Sequence, residues 1–330
     1  MTFSKLEPGS VMMTVDVEDW FHILDSPVAP TMDQWESLPS RVEIGLERIL
    51  QVLDDCRVSA TMFWLGWMAE RHKRLVRQCL SSGHEIASHG YGHVLPYKVG
   101  PTAFLDDIVR AKKVLEDVSG KPVVGFRAPG FGITGQSRWA FDLIRAAGYR
   151  YDSSVFPGVR GHGGMPGERT TPHVIKTLHG ELAEFPTSVL SCAGASLSLF
   201  GGGYLRATPM PLLLWAAKRV LDRGQSLVLY VHPRELDPSH PRLPLPWDRR
   251  FKCYVNIAST ERKLRHVLPL GNSIRMRDFA SDFVGETMEL GIATEDRYYR
   301  RPAAEFYESC PDNGQGRAGI GGVRDPRAAE

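Results

Sequence analysis

Apolar residues in this chain fall into short runs separated by amphipathic stretches, and the alternation is regular. Residues 11–17 form a nearly unbroken apolar run that ends in acids, which predicts a buried strand. Val42, Leu46, Ile49, Leu50 and Leu53 recur at helical spacing across residues 41–56. Residues 60–65, rich in Thr and aromatics, predict a strand, with a helix to residue 80 closed by Gly83. A short strand over 85–88 follows, then an amphipathic helix over 104–118 stopped at Gly120. The pattern continues with a strand over 123–126, a helix over 137–147 ended by Gly148, and a strand over 149–155. Late in the chain a helix over 212–221 ends at Gly224 and a strand covers 227–231. Strands alternating with helices at this spacing argue for a parallel β/α architecture without internal repeats. Two regions break the rhythm. Residues 160–167 are glycine-rich and read as a mobile loop. Periodicity fades from about residue 285, and residues 312–330, rich in Gly, Arg and Pro, read as disordered.

The chain has 330 residues, enough for a β/α barrel of about 250. Forty Lys and Arg against 38 Asp and Glu leave a net charge of +2, too balanced to point to nucleic acid. Five scattered cysteines, Cys56, Cys79, Cys192, Cys253 and Cys310, form no Cys-x-x-Cys pair, so they suggest neither a disulfide framework nor a thiolate metal site. No basic segment followed by an apolar core precedes Asp16, so a cytoplasmic protein is expected. Residues 185–205 carry no charge, but their glycines and serines make a poor spanning helix, and no transmembrane segment is expected. Leu212-Leu213-Leu214-Trp215 opens an amphipathic helix, read as core packing with peripheral membrane association as the alternative.

Candidate chemistry gathers where strands give way to loops. Asp16-Val17-Glu18-Asp19 ends the first strand and Ser88-His89-Gly90-Tyr91-Gly92-His93 follows the third. Arg127-Ala128-Pro129-Gly130 and Val231-His232-Pro233 follow later ones. Two imidazoles four residues apart meet one ion if their loop curls; otherwise they are surface or core histidines. A zinc-like ion needs about three protein ligands and an open position, which two histidines and one carboxylate provide. A second carboxylate of the acidic cluster is then free to act as base, unless the cluster is simply a solvated strand end. Arg127 is placed to orient a carboxylate or to form a structural salt bridge. His232 leaves a buried strand at the sheet mouth, where it is either a proton donor to a departing amine or a satisfied core histidine. Glu235 and Asp152 are candidate orienting partners, or loop acids.

Taken together these segments resemble the polysaccharide deacetylases of carbohydrate esterase family 4, the NodB-homology domain. Thr14-Val15-Asp16-Val17-Glu18-Asp19 resembles the first family motif and His89 to His93 the second. Phe126-Arg127-Ala128-Pro129-Gly130, Tyr151-Asp152-Ser153-Ser154 and Leu229-Tyr230-Val231-His232-Pro233 resemble the third, fourth and fifth. The likeness runs from about residue 11 to 278, nearest to exopolysaccharide-locus, exosortase-associated members beside the peptidoglycan deacetylase and allantoinase-like branch. Val15-Asp16-Val17-Glu18-Asp19-Trp20-Phe21-His22 and His232-Pro233-Arg234-Glu235-Leu236-Asp237-Pro238 carry that closer likeness. Three features depart from the common pattern. Val17 separates Asp16 from Glu18 and Asp19, Gly90 stands where Ser or Thr is usual, and Arg234 replaces an aromatic.

The resemblance implies a distorted (β/α)7-8 TIM-like barrel with its site at the strand C-terminal ends. It implies a catalytic barrel over 1–234, a family extension over 235–284 packed on it, and a poorly structured tail over 285–330. The expected activity is metal-dependent de-N-acetylation of amino sugars in a bacterial exopolysaccharide or its precursor. Asp16 is expected as base, Arg127 as its orienting partner and His232 as acid. His89 and His93, with Asp19 or Glu18, are expected to hold a divalent metal, zinc first, with cobalt, nickel and manganese as alternatives. Trp20, Tyr91, Pro129 and Asp152 are expected to line the substrate groove. The rivals are a metal-independent allantoinase-like or cyclic-imide hydrolase, and a non-catalytic glycan-binding module using aromatics such as Trp20, Phe21 and Trp247.

Overall fold

The computed structural model describes residues 9–158, 160–161, 163–192, 195–283 and 287–289. The chain begins with β1 (Ser10–Val17), α1 (Val42–Cys56), β2 (Ala60–Trp64), α2 (Gly66–Arg71), α3 (Lys73–Ser81) and β3 (Glu85–Ser88). It continues through α4 (Pro96–Ser119), β4 (Gly125–Phe126), α5 (Trp139–Ala146) and β5 (Tyr151–Asp152). Two hairpins follow, β6 (His173–Thr177) with β7 (Gly180–Glu184) and β8 (Leu190–Cys192) with β9 (Ala195–Leu197). After them come α6 (Gly202–Ala207), α7 (Met210–Leu221), β10 (Leu227–Val231), α8 (Trp247–Tyr254) and α9 (Thr260–Val267). The described elements end with β11 (Asn272–Ser273), α10 (Met276–Asp282) and β12 (Thr287–Glu289).

The main sheet runs β10-β1-β2-β3-β4-β5-β7-β6-β12, with β11 added beside β1. Every pairing from β10 to β7 is parallel, and only β6 with β7 is antiparallel. Among the described residues the order does not close on itself, so the expected barrel takes the form of a curled half-barrel. All eight residues of β1 and all five of β2 and β10 are buried, as strands covered on both faces must be. Helices α1, α3, α4, α5 and α7 turn apolar stripes onto this sheet; Leu46, Ile49, Val52 and Leu53 of α1, for example, are all buried.

Several elements differ from the sequence expectation. The helix predicted to reach residue 80 breaks at His72 into α2 and α3. Helix α4 starts eight residues earlier than its periodicity suggests, across a break where Gly100 has φ +79° before Pro101. Strands β4 and β5 are only two residues long, although Ser153 still donates to the Phe126 carbonyl and Thr187 to that of Val155. The β6–β7 hairpin was not anticipated. Of the loop expected to be mobile, residues 160–161 and 163–167 are tied down: Met165 is buried, and Arg160 sits over the Phe131 and Phe156 rings. Of the expected tail, residues 287–289 pair with β6, and the rest lies outside the described residues.

One close approach fixes the turn after β10. Helix α1 crosses the turn after β10 so tightly that a Cβ on Gly45 would lie 2.0 Å from the Pro233 carbonyl oxygen. Glycine there lets α1 seat the residues following His232. Among the described residues no helix is long and apolar enough to cross a membrane. Cys56, Cys79 and Cys253 are free thiols; Cys192 and Cys310 lie outside what is described of side chains.

Candidate active site

Four parallel strands, β1, β3, β4 and β10, deliver their C-terminal residues to one end of the sheet, and the candidate residues converge there. Asp16 is the penultimate residue of β1. Its Oδ1 accepts from Arg127 Nη1 at 2.7 Å, and Arg127 is wholly buried. The same nitrogen donates to Thr14 Oγ1 at 2.7 Å, and Nε and Nη2 donate to the Ser153 carbonyl and hydroxyl. The guanidinium also lies 4.2 Å from the Phe63 ring centroid. A buried cation fixed on this many sides has one orientation, and it aims a single fork tine at Asp16. Asp16 Oδ2 is left facing His232 Nε2, 3.9 Å away.

The chain turns sharply after Val17, with the Glu18 amide donating to the Asp16 carbonyl at 3.0 Å. This turn carries Glu18 to the histidines. Glu18 Oε1 lies 3.1 Å from His89 Nε2 and 2.9 Å from His93 Nε2, and the three side chains are buried. One donor atom from each lies within 4.8 Å of the others. Asp19, the alternative carboxylate, is not brought to the histidines. It accepts from Ser40 Oγ at 2.6 Å and from the amides of Trp20, Arg41 and Val42, so it caps the start of α1. The extra Val17 thus divides the cluster: Asp16 faces the arginine, Glu18 the histidines, and Asp19 a helix N-terminus.

Two features curl the histidine loop. Gly90 has φ +76°, and a Cβ there would meet Asp107 Oδ2 at 2.7 Å. Asp107, on α4, accepts from the Tyr91 and Gly92 amides at 2.8 Å each. A carboxylate from another element thus holds the loop where Gly90 offers no side chain. Burial raises the Asp107 pKa against the pull of those amides. His93 itself takes φ +53°, a conformation a histidine holds only where its surroundings fix it.

The donor set suits a divalent cation. His89 Nδ1 lies 2.8 Å from the Arg127 carbonyl oxygen, an acceptor, which puts the ring proton there. Nε2 then faces Glu18 with a lone pair, and two acceptors oppose one another across 3.1 Å. A divalent ion held by His89, His93 and Glu18 would satisfy all three. Glu18 is held as a carboxylate: burial favours its neutral form, yet the charges of His93 and His232 and the closeness of both loop histidines hold its pKa well below the usual carboxylate range. Burial lowers His93. It would also lower His89, but the charges of Asp16 and Glu18 raise it.

His232, the first residue after β10, is held by Glu235, whose Oε1 lies 2.5 Å from Nδ1. The other oxygen of Glu235 pairs with Arg206 of α6, which also donates to the carbonyls of Lys252, Cys253 and Val255. Burial pushes Glu235 up, but Arg206 and the bonded His232 outweigh it and hold its pKa at about 2. His232 Nε2 is 3.8 Å from Glu18 Oε1, so the imidazole faces both carboxylates across a gap.

The expected groove residues are less well placed. Pro129 is buried beside the histidine loop, its Cγ 3.8 Å from the position of a Cβ on Gly90. Trp20 is buried, with its indole N–H donating to the Pro39 carbonyl. Tyr91 turns away, donating to Glu70 at 2.7 Å under a guanidinium from Arg110. Asp152 is wholly buried, accepts from Ser154 and pairs with Glu184, whose pKa is pushed well above the carboxylate range by burial and by Asp152. These three side chains are held by partners within the walls of the site. Two residues not singled out as site members do approach it. Arg234 Nη1 donates to Glu18 Oε2 at 3.2 Å, and His22, among Phe21, Trp35 and Trp67, lies 5.8 Å from the His93 ring. Its Nδ1 accepts the Asp19 amide at 2.8 Å, steadying the turn that separates the three acids.

Residues 28–151 match the model of the polysaccharide deacetylase family, and residues 153–281 that of a domain of unknown function, DUF3473. The first segment contains His89, His93 and Arg127; Asp16 and Glu18 precede it, and His232 falls in the second. A peptidoglycan deacetylase from Helicobacter pylori is 26% identical over 113 residues, 34% of this chain and 38% of that protein. A peptidoglycan-N-acetylglucosamine deacetylase from Bacillus cereus is 31% identical over 103 residues, 31% of this chain and 46% of that protein. The chain therefore matches less than half the length of these curated relatives. A crystal structure from Mycobacterium smegmatis, described as a polysaccharide deacetylase, superposes with a TM-score of 0.55 at 21% identity, covering 87% of this chain and 98% of that one. Puue allantoinase superposes with a TM-score of 0.53 at 15% identity, covering 83% and 89%. These two likenesses establish the fold.

Proposed function

We infer that this chain, which carries a polysaccharide deacetylase segment of the NodB-like type, is a metal-dependent de-N-acetylase. Its substrates are N-acetylated amino sugars of a bacterial exopolysaccharide or its precursor. The observation that supports this best is the meeting of three units within one gap: the Glu18–His89–His93 donor set, the Asp16–Arg127 pair and the His232–Glu235 pair.

His89, His93 and Glu18 would hold a divalent ion, with zinc the best match for two imidazoles and one carboxylate; cobalt, nickel and manganese also accept such ligands. Such an ion supplies Lewis-acid polarisation of the acetamide carbonyl and acidifies water at neutral pH. The chain's own groups divide the proton transfers. Asp16 has one oxygen held by Arg127 and one facing the gap, and this second oxygen takes the proton of the attacking water. His232 has Nδ1 held by Glu235, which leaves Nε2 to give a proton to the departing amine. Protonation is needed because an amine anion is too poor a leaving group. Arg234 occupies Glu18 Oε2 and leaves Oε1 to the histidine side.

Acetate release from N-acetylglucosamine oligomers tests this reading, measured after chelation and again after zinc or cobalt is restored. Activity should vanish with chelator and return with metal. Asp16→Asn should lower kcat by about a thousandfold with the metal still bound, since Asp16 is outside the donor set. Folded, metal-loaded protein that releases no acetate from any such oligomer, but opens ureides or cyclic imides, would replace the deacetylase by the allantoinase-like reading.

A further inference from the structure

The rim of the candidate site carries an apolar surface that the chemistry does not use. Helix α8 exposes Trp247 by 84% and Phe251 by 58%, one turn apart and so on one face. The same eight residues include Arg249, Arg250 and Lys252 against the single acid Asp248. Arg250 and Lys252 are exposed, and Arg249 donates to the carbonyls of Leu24 and Asp25. Those carbonyls belong to the loop that leaves Glu18, so α8 stands beside the catalytic mouth. Helix α6 packs on α8 through Gly203, where a Cβ would lie 2.3 Å from the Lys252 carbonyl oxygen, and leaves Tyr204 exposed. The next helix, α7, repeats the pattern. Leu212 and Trp215 are 44% and 50% exposed, followed by exposed Lys218 and Arg219, and the helix contains no acid.

We propose that the exposed side chains of α8 and α7 dock the protein on an anionic phospholipid bilayer, with the catalytic mouth turned toward the headgroups. Large apolar side chains exposed as a group mark an interaction surface, and Trp beside Arg and Lys is the composition of an interfacial helix. The cations select an anionic partner, each contributing about 1 kcal/mol near such a surface. A sugar platform is the less fitting use. An indole exposed by 84% protrudes far enough to enter the headgroup layer. Aliphatic Leu212 fits a bilayer and not a sugar face. If the deacetylase reading holds, a mouth at the bilayer suits an amino sugar carried on a membrane lipid.

The test is co-sedimentation of the full chain with phosphatidylglycerol-containing vesicles and with phosphatidylcholine vesicles. Vesicle binding is read without reference to catalysis, so it fails or succeeds independently of the deacetylase reading. Wild-type protein should partition to the anionic vesicles and be released by salt, and the Trp247→Ala/Phe251→Ala variant should partition about tenfold less. Both side chains are exposed, so the variant should unfold at the wild-type temperature. Equal partitioning to both vesicle types, or equal binding by wild type and variant, overturns the proposal. So does a rise of about tenfold in KM for soluble oligosaccharide in the variant, which would assign the patch to glycan stacking.

Discussion

The division of labour among Asp16, Glu18 and Asp19 rests on where each carboxylate finds its partners. Glu18→Gln removes the charged ligand from a buried donor set, so zinc affinity should fall by at least about a hundredfold, read by titration with a competing chelator. Asp19→Asn should leave zinc affinity near the wild-type value. It should cost about 1–2 kcal/mol of stability in urea unfolding, because Asp19 serves the first amides of α1. The reverse pattern would make Asp19 the ligand. The motif shows in sequence that acids, histidines and arginine follow strands, because a strand's end fixes which residue first reaches the loop. Which way a side chain then turns was not legible. Tyr91 goes to Glu70, Trp20 to the Pro39 carbonyl and Asp152 to Glu184, partners 19 to 32 positions away whose placement depends on the whole fold. Arg206 left a faint trace, as the first charge after the uncharged stretch 185–205; a lone charge there is one that the fold has paired.

At the scale of elements, periodicity located β1, α1, β2, β3, α7 and β10 because each buries a face whose spacing shows in the chain. It could not locate β6 and β7. They are five residues each, with exposed and half-buried positions among the buried ones, too short for a period to stand out, although they pair with each other as a local hairpin. Nor could it split α2 from α3, since both keep apolar residues at helical spacing across His72. The approach of α1 to the turn after β10 was also invisible, and it carries a consequence. Gly45→Ala places a methyl 2.0 Å from the Pro233 carbonyl oxygen, so either α1 or the His232 turn must move. The variant should lose about 1–3 kcal/mol of stability in urea unfolding. Its kcat should also fall at unchanged zinc affinity, because His232 shifts while the donor set does not. Wild-type kcat in a destabilised variant would show that α1 yields instead.

The whole molecule carries two further expectations. His84, buried with Nδ1 accepting the Ala60 amide, has its pKa lowered to about 4 by burial and by nearby Arg275. Its neutral form is favoured in the folded state, so the stability it contributes is complete above the unfolded value near 6.5 and is lost as the pH falls through about 4. Urea unfolding should therefore weaken over that interval by about 3 kcal/mol from this group, and His84→Gln should flatten the slope by about one proton. The second concerns where the chain can be divided. The two family segments meet near residue 152, and the sequence suggested a boundary after residue 234. Both positions are crossed by structure. Cutting at 152 would strip β10 from β1 and β7 from β5, exposing the edges of fully buried strands, and would take Ser153 from the buried Arg127. Cutting at 234 would separate Arg206 from Glu235, and Lys263 from the carbonyls of Leu205, Arg206 and Thr208. A buried cation left without its partner, as Arg206 would be, is strongly destabilising, and the three carbonyls would lose their donor. Residues 1–152 and 1–234 should each fail to show a cooperative urea transition by circular dichroism, whereas residues 1–283 should show a single one. A sharp transition from 1–152 alone would mean that the deacetylase segment folds by itself. Glu18, His89, His93 and Arg127 would then be assembled before His232 ever reaches them.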